Sequence, residues 1–373
     1  MGLTSDAVLA AAVLAAVLLF AGTLVLWPRL ARRGWGAVTG RAGLLLATQL
    51  VLFTAVGLAA NRAFGFYASW ADLFGQEKEQ GVVVDHTPGR DPLRVVGSQR
   101  VPGAAGGPAA AGRIQRVEIA GRTSRIASPA YVYLPPEYFQ PRHRTRVFPA
   151  AVVLTGYPGT ASALVDKLHY PRTARELARA GRMPPMILVM LRPTVAPPRD
   201  TECVDVPGGP RAESFFAVDL PGALRGHYRV AGKPGGLGIV GNSTGGYCAL
   251  KIALHHPGVY GAGAGLSAYY EAPLDATTGD LFRGDEALRR RADLWWYLAH
   301  APAPDTSLLV TTSRKGESNY RDTLRFIERV KGTGRTRISS IVLESGGHNF
   351  NTWRREIPAT LEWLGKRLDD TRK

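Results

Sequence analysis

Residues 7–27 and 42–60 carry no charged side chain, so neither has the polar stripe of a helix lying on a protein surface. At about 1.5 Å per residue each run is long enough to cross a hydrocarbon layer of about 30 Å, which predicts two membrane helices. A cleaved leader places basic residues before a shorter apolar core, and Met1–Asp6 has none, so both helices are expected to be retained. The connection holds Arg29, Arg32, Arg33 and Arg41 and no acid. That bias puts the connection in the cytoplasm and both flanks outside. Phe64, Phe66, Tyr67, Trp70 and Phe74 follow as interfacial anchors, and residues 76–112, with the run VPGAAGGPAAAG, lack the pattern of a core and read as a flexible linker. The chain thus divides into a membrane hairpin (1–75), a linker (76–112) and a third segment (113–373).

From Arg113 onward the pattern changes. AYVYLP, FPAAVVLTG, PMILVMLRP, LGIVG, YGAGAGLS, SLLVTTS and SSIVLES are short apolar runs, mostly without alternation, as expected of strands covered on both faces. SALVDKLHYPRTARELARAG, ESFFAVDLPGALRGHY and YRDTLRFIERVKG carry helical spacing between them. The order predicts an α/β domain, a mostly parallel sheet with helices on both faces, whose ligands bind at the carboxyl ends of the strands.

One stretch brings chemistry to such an end. LGIVGNSTGGYCAL reads as strand, tight turn and helix, with Ser243 at the turn between Gly241 and Gly245. A serine hydroxyl needs a base to become a nucleophile. Among the histidines, His348 follows the late strand candidate SSIVLES behind the pair Gly346 and Gly347. An acid must orient that imidazole. Glu317, just beyond SLLVTTS, is the first candidate, Glu328 in the following helix its competitor and Asp322 a weaker one. Backbone N–H donors for an oxyanion are expected from Thr244, next after the serine, and from the TGYPGT loop, where Pro158 has no N–H and Tyr157 or Gly156 is left.

With these motifs in place the chain resembles the esterase D and antigen 85 (mycolyltransferase) branch of the α/β-hydrolases over roughly residues 115–368. The resemblance rests on AYVYLPPEY, LTGYPGT, AESFFAVDLPGAL, GNSTGGYCALKIALHHP and GGHNFNTW, the last placing Phe350 and Trp353 two and five positions after the histidine. It implies an α/β-hydrolase fold in which Ser243, the acid and His348 follow the chain order Ser, acid, His. It also implies acyl-ester chemistry through an acyl-serine. Antigen 85 proteins carry an arginine for sugar binding where Pro158 stands here, and their acid position nominates Glu328, whereas the esterase D branch nominates Glu317.

Composition adds the setting. The net charge is +16, of which only +3 belongs to residues 1–75. So basic a third segment suits an anionic neighbourhood such as lipid headgroups or acidic envelope polymers. No nucleic-acid-binding motif accompanies the charge, which argues against DNA or RNA as partner. Cys203 and Cys248 lack metal-ligand spacing and stand either as a disulfide or as two buried thiols. No phosphate loop or ligand cluster calls for a cofactor. The sequence therefore predicts a membrane-tethered, outward-facing serine esterase or acyltransferase acting on acyl esters or lipids, with water or a sugar or polyol as acceptor. The rival is a catalytically silent scaffold that binds the envelope.

Overall fold

A computed structural model describes residues 5–31, 34–64, 91–197, 199–232 and 235–368. Two compact units divide the chain, Met1–Val82 and Val83–Lys373. In the first, α1 (Asp6–Leu30) and α2 (Trp35–Phe64) pair as a helical hairpin. Both outrun the uncharged stretches that predicted them, taking in Arg29 on α1 and Arg41 and Arg62 on α2, whose long stems let an apolar helix continue to a polar boundary. Thr23 and Thr48 join the helices, Oγ1 to Oγ1, at 3.0 Å. Each hydroxyl also lies 2.8 Å from the carbonyl four residues back; with one O–H hydrogen apiece, one can donate across the pair only while the other donates to its own carbonyl. Leu14, Leu18, Leu24, Leu46 and Phe53 project outward, each more than half exposed. By length and composition both helices can cross a membrane: Ala7–Leu30 has mean hydropathy 2.7 and Trp35–Arg62 has 2.0. Phe66, Tyr67, Trp70 and Phe74 lie outside the described residues, as do Arg32 and Arg33.

The second unit is built on a nine-stranded sheet, ordered β1-β2-β3-β5-β4-β6-β7-β8-β9. Its strands are β1 (Leu93–Gln99), β2 (Arg113–Ala120), β3 (Ala127–Leu134), β4 (Ala150–Leu154), β5 (Ile187–Leu191), β6 (Leu237–Asn242), β7 (Tyr260–Leu266), β8 (Ser307–Lys315) and β9 (Arg337–Ser345). From β1 to β5 the pairs are antiparallel, and from β5 to β9 they are parallel. Every residue of β4, β5 and β6 is buried, as the unbroken apolar runs require.

Part of the expected linker belongs to this sheet. Leu93–Gln99 pairs antiparallel with β2 across a register shift between Val95 and Gly97. Leu93, Val101 and Ala111 anchor the stretch, each no more than 3% exposed. The spacer reading failed there because an edge strand with one covered face carries few apolar residues, and β1 has five exposed positions of seven once the half-buried Gly97 and Leu93 are set aside. The remainder of that expectation, residues 76–90, lies outside the described residues.

Helices cover both faces. On one, α3 (Tyr170–Arg179) and α7 (Phe350–Leu368) pack together. On α7, Trp353, Ile357, Leu361, Leu364 and Leu368 form a buried stripe at helical spacing. Burying each such side chain contributes roughly 1.5–3 kcal/mol. The other face receives α4 (Leu220–His227) and α5 (Thr244–His255), with Phe215, Phe216, Leu220, Leu224, Leu250 and Leu254 in its core. An amphipathic helix, α6 (Tyr320–Lys331), follows β8. Because β4, β6, β8 and β9 are parallel, the loops leaving them gather at one end of the sheet.

Candidate active site

β6 ends at Asn242 and α5 begins at Thr244, leaving Ser243 alone to make the turn. Its backbone stands at φ 55°, ψ −124°, a conformation an L-residue adopts only at an energetic cost. The flanking glycines make the turn sterically feasible. A Cβ on Gly241 would lie 2.3 Å from the Gly245 carbonyl group, and one on Gly245 would lie 2.3 Å from Thr155 O. Strand, helix and the loop after β4 thus meet at van der Waals distance behind the serine.

His348 comes over the serine from the loop after β9, and its Nε2 lies 2.8 Å from Ser243 Oγ. Trp353 meets the imidazole edge-on, ring centroids 5.2 Å apart, while its indole N–H donates to Ser267 Oγ at 2.9 Å. Desolvation lowers the His348 pKa, opposed by the negative charge of Glu317. The imidazole is therefore neutral at neutral pH, the form that accepts a proton.

The three carboxylate candidates part company here. Glu317, in the turn after β8, acts electrostatically on His348, and both its carboxyl oxygens are buried without a hydrogen-bond partner. Such bonds often tighten only once substrate is bound. Glu328 points to solvent with 70% of its side chain exposed and pairs with Lys331 at 2.7 Å. It lines a cleft of about 840 Å³ with Trp295, Leu324 and Arg329, none of them part of the serine's surroundings. Asp322 is likewise exposed and pairs with Arg325 at 3.4 Å.

Thr244 is the first residue of α5, so its N–H has no acceptor inside the helix. The Thr155–Thr160 loop packs against the serine, and a Cβ on Gly156 would come within 3.0 Å of Ser243 Cβ. Tyr157 is next in that loop. The N-terminus of α5 and the loop that holds Gly156 and Tyr157 therefore meet at the nucleophile from different elements.

Two buried carboxyl groups near Thr244 carried no sequence signal. Asp200 and Glu202, in the loop after β5, are buried beside Thr244 and Tyr269. Burial pushes Asp200 up to about 6 and Glu202 up to about 8. Tyr269 donates to the Glu202 carboxyl at 2.6 Å, and Thr244 Oγ1 lies 3.5 Å from Asp200 Oδ2. The same loop is tied to α5 twice. Cys203 is disulfide-bonded to Cys248, with Cα atoms 5.7 Å apart, and the fully buried Lys251 donates to the carbonyls of Glu202 (2.9 Å) and Cys203 (2.7 Å). Among the described residues no group of three or more His, Cys, Asp or Glu is placed to hold a metal ion.

A serine on a strained strand-to-helix turn, a histidine from the last strand's loop and a mostly parallel sheet define an α/β-hydrolase. Residues 127–364 match the Esterase family model, and the chain belongs to that family. An uncharacterised protein of Corynebacterium glutamicum is 25% identical over 268 residues, which cover 69% of this chain and 62% of that relative's length. Among solved structures, a ferulic acid esterase superposes with TM-score 0.58 at 18% identity, covering 68% of this chain and 98% of its own. An S-formylglutathione hydrolase from Agrobacterium tumefaciens gives TM-score 0.58 at 18% identity, covering 74% and 100%. At these identities the likeness is one of fold.

Proposed function

We propose that the protein is a membrane-tethered serine esterase that acts through an acyl-Ser243 intermediate on acyl esters of the cell envelope. The 2.8 Å approach of His348 Nε2 to Ser243 Oγ carries the reading. Ser243 Oγ attacks the ester carbonyl while His348 Nε2 takes its proton. Backbone N–H groups of Thr244 and Tyr157 receive the oxyanion, each worth on the order of 3 kcal/mol. Collapse breaks the bond to the leaving alcohol, which takes the proton from His348. Water then attacks the acyl-serine, again with His348 as base, and releases the acid. A sugar or polyol hydroxyl in place of water makes the same site an acyltransferase. Glu317 is the acid that orients the imidazole in this scheme. No metal or organic cofactor enters any step.

The substrate class and the placement rest on the N-terminal hairpin and the charge. Two lipid-compatible helices hold the chain at a bilayer, and the excess of basic residues beyond them favours anionic envelope lipids. Incubation with envelope lipid extract, acid quench and mass spectrometry of the Ser243 peptide should reveal an acyl adduct whose mass names the donor. An unmodified peptide throughout, with the enzyme active on a small ester, would turn the substrate class away from envelope lipids. The arginine-rich connection implies an outward-facing esterase domain, so protease added to intact cells should digest it. Protection until lysis would reverse that orientation.

A further inference from the structure

A cleft of about 620 Å³ opens at the same end of the sheet as Ser243. The turn between β2 and β3 gives it Arg122, Thr123 and Arg125, and the loop after β5 gives it Ala196, Pro210 and Arg211. Strand register puts cleft and nucleophile on one rim. Gly241 of β6 is level with Leu154 of β4 and Leu191 of β5, and Met190 of β5 pairs with Tyr131 of β3. Ser243 stands just past that line, as does the β2–β3 turn. In the order β6-β4-β5-β3 the two are three strand spacings apart, about 15 Å across the sheet. The loop after β5 borders both, since its Asp200 Oδ2 lies 3.5 Å from Thr244 Oγ1 while Ala196 and Pro210 line the cleft.

The acids bonded to these segments are already occupied. Asp219 accepts from the N–H groups of Thr123 at 2.9 Å and Ser124 at 2.8 Å, and Asp205 accepts from the N–H and the hydroxyl of Ser214. The guanidinium groups are not used up in the same way. Arg211 is anchored, with Nη1 donating to Thr123 O at 3.0 Å, Nη2 to Ser214 Oγ at 3.1 Å and Nε 3.9 Å from Asp205 Oδ2. Each of its terminal nitrogens keeps a second N–H, and half the side chain is exposed. Arg125 is exposed and has no ion-pair partner among the described residues. Arg283, from the loop after β7, brings a further guanidinium beside Gly208, where a Cβ would lie 3.2 Å from its Nη1. Arg199 ties that loop to the loop after β5 by donating to the carbonyls of Thr278 at 2.6 Å and Asp280 at 2.7 Å.

Resting on the serine-esterase reading above, we propose that this cleft is an anion-binding subsite, which receives a phosphate or carboxylate group carried by the ester substrate about 15 Å from the scissile bond. Guanidinium forks suit such groups because two parallel N–H donors meet two oxygens. The net charge of the chain attracts any anion, whereas a fixed cluster of arginines at one distance from Ser243 selects among them. Binding so far from the reacting carbonyl acts alike on bound substrate and transition state, so its mark is on KM.

Two matched pairs of short-chain acyl esters test the subsite. In one pair the alcohol is a diol about 15 Å long that ends in a phosphate monoester or in a neutral methyl ether. In the other the same two groups end the acyl chain, so the anion can reach the cleft from either side of the ester. In at least one pair the wild-type full chain should favour the phosphate in kcat/KM, chiefly through KM. Arg125→Ala should lower that preference about tenfold and Arg125→Glu further. Arg122→Ala, on the same turn, gives a second reading if an Arg125 variant fails to fold. Arg172→Ala removes an exposed charge on α3 and should leave the preference where it was. Equal kcat/KM for both members of both pairs would overturn the subsite. So would a preference that survives Arg125→Glu, or one that Arg172→Ala lowers as much. Fluorophosphonate labelling of Ser243 keeps the two levels apart. Wild type that neither labels nor cleaves any of the esters refutes the serine-esterase reading itself, whereas labelled enzyme indifferent to the phosphate refutes only the subsite.

Discussion

Ser243→Ala is expected to abolish turnover of a p-nitrophenyl ester and labelling by a fluorophosphonate probe, with a loss on the order of 10⁶-fold in kcat. His348→Ala should lose nearly as much, and the double variant hardly more than either single one. The reason is geometric. At 2.8 Å the hydroxyl and the imidazole act as one proton-transferring unit, so removing either half removes the whole. Activity left by the backbone donors alone would survive in all three variants. Losses that multiply in the double variant would mean independent roles and break the pairing. Full activity of Ser243→Ala would move the chemistry elsewhere in the fold.

The second large effect concerns the acid. Glu317→Gln should lower kcat on the order of 10⁴-fold while leaving ester binding nearly intact, because it removes the charge that fixes the imidazole tautomer and stabilises the imidazolium. Glu328→Gln should stay within a few fold, since Glu328 is solvated and already paired with Lys331. The opposite pattern would require α6 to rotate its exposed face toward His348. It would also align the protein with the transferase branch. Near-wild-type rates in both variants would transfer the test to Asp322.

How far the sequence alone could reach is best seen residue by residue. Ser243 was legible because a Cβ at 241 or 245 would come within 2.3 Å of neighbouring backbone, and such a demand for glycine leaves a mark in the residue types. The β4, β5 and β6 runs were legible because strands buried on both faces admit little else. Choosing between Glu317 and Glu328 was beyond the sequence: both follow β8, and only the direction of α6 sends one to solvent. The disulfide was left open for a similar reason, since it depends on the β5 loop returning to α5 across 45 positions. Edge strands fared worst. β1 has no second face to bury, and its residues look like those of a spacer. Asp200 and Glu202 were invisible, because a carboxyl group is ordinarily a surface group and nothing local to these residues marks their burial.

The backbone at Ser243 also bears on how the chain has been selected. A left-handed conformation costs a non-glycine residue roughly 1–2 kcal/mol, and glycine escapes nearly all of it. A domain that served only to bind or to scaffold would be relieved of that cost by exchanging the serine for glycine. Mutation supplies such exchanges continually, and marginal stability rewards them. A serine standing at φ 55° thus carries a stability cost that a binding or scaffolding role alone would not require.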